Sequence, residues 1–392
     1  MLSPAHLGAA HRRAALAVGL AAVVIAVVIG VGAISLGTPN AGAGSAREAG
    51  VGREAHVGRV SLLTPASTLG SAVGDTALGL RTSYYQPTLL TDPSNPGIII
   101  NSGPDEPDPF IIQQGGRYYL FTSQSGVLQN VPVQSGTKVG DWGPVSDALP
   151  DSPAWAVPGF FWAPDVVKFG NHYMLYFTSK LKNSNPPTVC IGEAISTAVA
   201  GPYIPTQSPL ICQLSLGGSL DPRVFVNSDG APSIVWKSNQ NALTPATTTQ
   251  IWSQTLSTDG THLTGQPTVI FEPDEPWQNA IAEAPQLVLV QGTYYLFYSG
   301  GWFNQSSYAI GVARCSGPMG PCHDTSPTPL LASNAQGQGP GEESVFANAV
   351  GIWLLYTPSR STLPLPGPPR PVAMAHLGFG PDGPYLAAPY QT

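Results

Sequence analysis

The stretch 106-EPDPFIIQQGGRYYLFTS-123 sets the reading of the whole chain. An acidic residue and a proline precede a short apolar run; two glycines then make a turn, and an aromatic strand follows. The pattern returns as WAPDVVKFGNHYMLYFTS (162–179), LDPRVFVNSDGAPSIVWKS (220–238), AEAPQLVLVQGTYYLFYSGG (282–301) and GEESVFANAVGIWLLYTPS (341–359). The aromatic strands centre near Tyr119, Tyr173, Val235, Tyr295 and Leu354, a period of about 55–60 residues. Each unit is a hairpin, with turn residues that tolerate positive φ, followed by two further strand-like segments. A period of this size built from four short strands is the signature of a β-propeller blade. Five units predict an all-β, five-bladed propeller.

Composition agrees. Only 10% of the 392 residues are charged, while 44 Gly and 41 Pro exceed a fifth of the chain, which suits short strands and tight turns over long helices. The net charge of −7 offers no basic surface for nucleic acid. Residues 14–37, AALAVGLAAVVIAVVIGVGAISLG, form an uncharged apolar run behind Arg12 and Arg13. That is long enough to span a bilayer with the N-terminus inside. The small-residue pattern AGA at 41–43 keeps a cleaved signal peptide as the alternative. Residues 1–37 are thus read as a cytoplasmic stub with a membrane anchor or signal peptide, 38–83 as a flexible linker, and 84–392 as the propeller. Either N-terminal reading exports the folded part to the cell membrane or the medium. The four cysteines fall into two local couples, Cys190 with Cys212 and Cys315 with Cys322, and disulfides suit an oxidising compartment.

The first strand of each blade lines the axis of a propeller, so the acidic residues opening these strands converge at one end. The openers are Asp108, Asp165, Asp221, Glu283 and the Glu342/Glu343 pair. Crowded carboxylates repel one another and lose solvent, which separates their pKa values, as acid–base chemistry at sugar bonds requires. Turn punctuation is the plain alternative for any one of them.

DPFIIQQGGRYYLFTS, FWAPDVVKFGNHYMLYFTS, SLDPRVFVNSDG and AEAPQLVLVQGTYYLFYSGG resemble the blade motifs of glycoside hydrolase family 43, over about residues 100–390. The resemblance implies a five-bladed propeller that cleaves arabinose- or xylose-containing glycans with inversion. It implies Asp108 as general base, Asp221 as the acid that orients and tunes the proton donor, and Glu283 as general acid. An inverting pair stands roughly 6.5–9.5 Å apart to admit water, and blades 1 and 4 lie across the axis from each other. On this reading Asp108 is ionised and solvated, while desolvation and Asp221 favour the protonated form of Glu283.

Trp162 and Trp302 are candidate sugar platforms, and Phe161, Asp165 and Arg223 are candidate substrate or network contacts. The reaction requires no cofactor. Many family members carry GPGH in the fifth blade, where the His helps hold a central water or calcium network. Here the stretch reads GPGEES, with Glu342 in the His position, so a structural calcium is not carried over, although glutamate is a hard-cation ligand type. His172, His262, His323 and His376 read as turn or surface residues. The expected protein is a monomeric glycosidase acting on oligo- or polysaccharide, with α-L-arabinofuranosidase as the first assignment. The rival function is a non-catalytic carbohydrate-binding propeller.

Overall fold

The computed structural model describes residues 79–80, 98–101, 105–124, 129–334, 337–359 and 370–387. The apolar run 14–37 and most of the expected linker lie outside the described residues. Among those described, no helix is long and apolar enough to cross a membrane.

Five antiparallel sheets follow one another along the chain. Blade 1 is built from Phe110–Gln114, Arg117–Phe121, Pro132–Gly136 and Ser146–Asp147. Blade 2 uses Ala156–Phe169, His172–Leu181, Val189–Ser196 and Ile204–Pro205. Blade 3 uses Ser219–Val226, Pro232–Ser238, Ile251–Leu256 and Leu263–Phe271. Blade 4 uses Ala282–Val290, Thr293–Gly300, Ala309–Cys315 and Cys322–Asp324. Blade 5 uses Gln338–Asn348, Gly351–Ser359, Val372–Gly380 and Gly383–Ala387. The turns named in the sequence supply the positive φ that closes the first hairpin of blades 1 to 4, at Gly115 and Gly116, Gly170, Gly230, and Gln291 with Gly292.

The ring is closed from the N-terminal side. Ile98–Asn101 pairs antiparallel with Val372–Met374, so an early strand completes the last blade. Gly79–Leu80, expected in the linker, pairs in parallel with Leu289–Val290 of blade 4.

The core is divided among the five blade junctions. Ile112 and Phe121 pack toward Phe161, Leu175 and Phe177 of blade 2, while their neighbours Ile111 and Leu120 pack toward Phe346 and Leu355 of blade 5. This is the period-2 alternation of a strand buried on both faces. Further clusters join blade 2 to 3 around Tyr176 and Trp236, blade 3 to 4 around Phe225 and Leu296, and blade 4 to 5 around Phe297 and Leu354. Each large side chain buried there contributes about 1.5–3 kcal/mol of hydrophobic stabilisation. The disulfides join Cys190 to Cys212 and Cys315 to Cys322, and no described cysteine is free.

Candidate active site

Every inner strand carries the same local distortion. Asp108, Ala163, Asp221, Ala284 and Glu342 all adopt positive φ, between 49° and 56°. In blades 2 to 5 the ladder register breaks there, between Trp162/Asp165, Leu220/Arg223, Glu283/Gln286 and Gly341/Ser344. Proline follows the positive-φ residue in the first four blades. It has no N–H to offer the ladder, so it is at home in a bulge. Left-handed backbone in a non-glycine residue is strained and clusters at functional sites.

This register corrects the expected ring of openers. Asp108 and Asp221 sit at the positive-φ position, and so does Glu342. Glu283 stands one residue before it, level with Trp162 and Leu220. Asp165 stands two residues after it, level with Arg223 and Gln286. The bulge therefore divides the acids into different layers.

Asp108, Asp221 and Glu283 are brought together. The Asp221 carboxylate accepts the Ala284 N–H at 3.1 Å, beside Glu283, and its charge acts on both Glu283 and Asp108. Burial, then Glu342 and Asp221, push the Asp108 carboxyl well above its usual range; the Ser123 hydroxyl, donating to it at 2.5 Å, and Arg370 pull it back. Burial and Glu283 raise Asp221 to about 6, against Lys237 and the Ala284 N–H. Asp108, Asp221 and Glu283 are all part-buried, so exposure does not set Asp108 apart in the way the sequence suggested. Glu283 differs from expectation too. The buried Lys237 ammonium donates to one of its oxygens at 2.6 Å and the Tyr308 hydroxyl to the other at 2.7 Å, so its setting is polar and paired.

The second strand of each blade explains how the layers lock. Ser123, Thr178, Lys237, Ser299 and Thr357 occupy equivalent positions at its end. The last four pair across to Trp162, Leu220, Glu283 and Gly341 of their own blades. The Ser123 hydroxyl accepts the Ala163 N–H at 2.7 Å, Thr178 accepts the Asp221 N–H at 2.9 Å, and Ser299 accepts the Glu342 N–H at 2.9 Å. Thr357 donates to Glu342, which accepts the Asp108 N–H at 3.3 Å. Each hydroxyl thereby fastens the strained residue of the next blade. Lys237 alone is not a hydroxyl, and it reaches a carboxylate instead.

The remaining predicted residues separate into wall and rim. Phe161 is fully buried in the core against Phe177. Asp165 and Arg223 are buried and paired at 3.3 Å, and Asp165 also accepts the Val224 N–H at 2.8 Å. Burial raises Asp165 while Arg223 opposes the rise. Phe161 fills the junction of blades 1 and 2, while Asp165 and Arg223 tie blade 2 to blade 3, the network contact that the sequence reading offered beside contact with substrate. Trp162 is half-buried beside Phe160 and Lys180, and Trp302 is half-buried in the loop that leads to Tyr308. His376, read as a surface residue, is buried against Trp353.

Lys237, Tyr308 and Arg370 were not singled out by sequence. For Lys237 a signal existed: VWKS carries a cation where LFTS and YFTS carry hydroxyl residues. Arg370 donates to Glu342 at 2.7 Å and holds Asp105 with two nitrogens, at 3.1 and 3.0 Å. Glu342 thus meets Arg370, Thr357 and the Asp108 N–H, all donors, and its oxygens do not fit a cation-ligand role. Among the described residues no group of His, Cys, Asp and Glu is arranged to hold a metal. A separate hollow of about 310 Å³ between blades 3 and 4, lined by Ile270, Glu272, Asp274, His323 and Asp324, contains none of the site residues.

Comparison with known proteins gives one family. The model of glycosyl hydrolases family 43 matches residues 100–385. The chain is 25% identical over 287 residues to an extracellular endo-alpha-(1->5)-L-arabinanase of Thermotoga petrophila, covering 63% of this chain and 56% of that protein. It therefore spans little more than half the length of that relative. It is 30% identical over 268 residues to a probable arabinan endo-1,5-alpha-L-arabinosidase A of Aspergillus flavus, covering 62% of this chain and 77% of that one. Its fold superposes on a thermostable family-43 glycoside hydrolase with a TM-score of 0.63 at 24% identity, over 73% of this chain and 94% of the other. Five blades, the bulged inner strands and the match over residues 100–385 together establish that this chain belongs to glycosyl hydrolases family 43.

Proposed function

We propose that this family-43 glycosidase hydrolyses arabinosyl linkages of a polysaccharide outside the cytoplasm, with inversion at the anomeric carbon. The observation that carries the reading is the meeting of Asp108, Asp221 and Glu283 at the bulges of the inner strands, each in a different electrostatic setting. Asp108 is the base: its carboxylate takes a proton from the water that attacks the sugar. A base whose proton affinity is raised toward the working pH transfers protons more efficiently than an ordinary carboxylate. Glu283 is the acid: it delivers a proton to the departing glycosidic oxygen and returns to the carboxylate form, which Lys237 and Tyr308 stabilise. Asp221 orients the Glu283 segment through the Ala284 N–H. Trp162 and Trp302 are the sugar platforms at the rim. Asp165 and Arg223 act by holding the wall.

The names of the relatives favour arabinan over xylan and internal over terminal cleavage. The α-L-arabinofuranosidase assignment is the alternative within the same chemistry. We assign the apolar run at 14–37 as a membrane anchor, since it exceeds the length of a signal core. Incubating the purified protein with linear α-1,5-arabinan, xylan and aryl α-L-arabinofuranosides tests the assignment. Short arabino-oligosaccharides are expected from arabinan. Activity on xylan alone, or binding of arabinan without cleavage, would refute it.

A further inference from the structure

The blade that carries Glu283 also raises a loop beside it. Residues 301–308 join Thr293–Gly300 to Ala309–Cys315, and both ends of the loop are tied to the strand of the acid. At the start, Ser299 and Gly300 pair with Glu283 and Ala282, and the Gly301 N–H donates to the Ile281 carbonyl at 3.3 Å. At the finish, the Tyr308 hydroxyl donates to Glu283 at 2.7 Å. Two consecutive turns shape the stretch between: the Gln305 N–H donates to the Trp302 carbonyl at 2.9 Å, and the Tyr308 N–H to the Gln305 carbonyl at 3.1 Å. A segment leading into blade 5 braces the loop from the side. There the Ser333 hydroxyl donates to the Ser306 carbonyl and accepts the Gly339 N–H at 2.8 Å. The close approach needs glycine at 339, where a Cβ would stand 2.6 Å from the Gln305 carbonyl oxygen.

On this braced loop stands a side chain that the fold does not bury. Phe303 is 47% exposed, and among the described residues it is the only Phe, Tyr or Trp classed as exposed. A single exposed apolar residue is ordinary, but this one directly follows the half-buried Trp302 at the rim of the site. Asn304, Gln305, Ser306 and Ser307 complete the loop, and all four are exposed. No charged side chain occurs in residues 284–313, nor in 325–341, which include the bracing segment. Aromatic rings beside amides and hydroxyls, without charge, suit a neutral glycan. The rings take its C–H faces, and the amides and hydroxyls exchange hydrogen bonds with its hydroxyl groups.

We propose that Phe303 binds the second arabinose unit on the leaving-group side of the cleaved bond, continuing outward from Trp302. In an inverting hydrolysis the leaving group departs toward the acid, and water arrives from the side of the base. The loop is built on the blade of the acid and is tied to Glu283 at both ends, so it meets the departing part of the glycan. Phe303 stands further along the chain from Ser299 than Trp302 does, and it is the more exposed of the two. That order places it past the first unit. The turns and the Ser333 brace hold the loop before substrate arrives, so the ring is presented without first ordering the backbone. A contact two units beyond the bond favours cleavage within a polymer. This inference rests on arabinan as the substrate and on the acid role of Glu283.

The test is digestion of α-1,5-arabinohexaose, isotope-labelled in its reducing-end unit, by the wild type, Phe303→Ala and Phe303→Tyr, with the labelled products sized by mass spectrometry. A labelled fragment of two or more units records cleavage with the second leaving-group unit in place, and a labelled single unit records cleavage without it. The ratio of the first to the second should fall about tenfold in Phe303→Ala and stay within about twofold of wild type in Phe303→Tyr. The ratio is taken within one digest, so a loss of folded protein does not alter it. An unchanged ratio in Phe303→Ala overturns the proposal. A ratio that rises, or an equal fall in Phe303→Tyr, or a wild type that releases chiefly labelled single units, overturns it as well. Each of these leaves the hydrolase reading intact, whereas a wild type that does not cleave the hexasaccharide removes the reading beneath the proposal.

Discussion

The junction between blades 2 and 3 and the junction between blades 3 and 4 have the same backbone and different chemistry. At the first, Thr178 accepts the N–H of the strained Asp221, and a structural need is met by a hydroxyl. At the second, the equivalent residue is Lys237; the N–H of the strained Ala284 turns to the Asp221 carboxylate, and the lysine holds Glu283. Where an ammonium replaces the hydroxyl, a carboxylate thus takes over the latch and the cation holds the neighbouring Glu283. A repeated fold offers five such positions, and the proposed mechanism needs only one of them to depart from the repeat.

The difference between the two junctions matters most at Glu283. Glu283→Gln keeps the shape and donates no acid proton, so kcat/KM on arabinan should fall about 10²–10⁴-fold while binding persists. Restoring the latch comes next. Lys237→Ser makes the second of these junctions resemble the first and removes a charge-assisted hydrogen bond, which corresponds to a loss of about tenfold to a hundredfold in kcat/KM in a chain that still folds.

A smaller effect concerns pH. In the proposed mechanism Asp108 must be ionised to act as the base, and its carboxyl is raised by burial, Glu342 and Asp221. Activity should therefore fall, as pH drops, at a higher pH than for an ordinary carboxylate. Glu342→Gln removes one negative neighbour and frees Arg370 toward Asp108, so the acid limb should move to lower pH; a limb that stays or rises contradicts the assignment of the base. The smallest effect is the latch itself. Thr178→Val leaves the Asp221 N–H without its acceptor and should cost about 1–3 kcal/mol in urea unfolding.

The fold was readable because its cause is local. Strand alternation, turn glycines and a steady period follow from neighbouring residues, so the five blades appear where the repeats placed them, and both disulfides join the cysteines that stand close in sequence. The acids were readable by type but not by layer. Asp165 and Glu283 were aligned with Asp108 and Asp221, whereas the bulge puts them in other layers. The proline after each strained residue in blades 1 to 4 was the available mark of that bulge. Phe161, Asp165 and Arg223 went to the wall because burial is decided by the facing blade, which no local pattern reports. Tyr308 and Arg370 escaped for the same reason. Their partners lie 25 and 28 residues away, across loops of no fixed length.

In the proposed mechanism, inversion has water attack from the Asp108 side while Glu283 protonates the opposite side. Proton NMR of the first seconds of α-arabinan cleavage by the wild-type protein reads this directly. The β-anomer at the new reducing end should appear first and decay by mutarotation. An α-anomer released first would contradict the facing arrangement of base and acid.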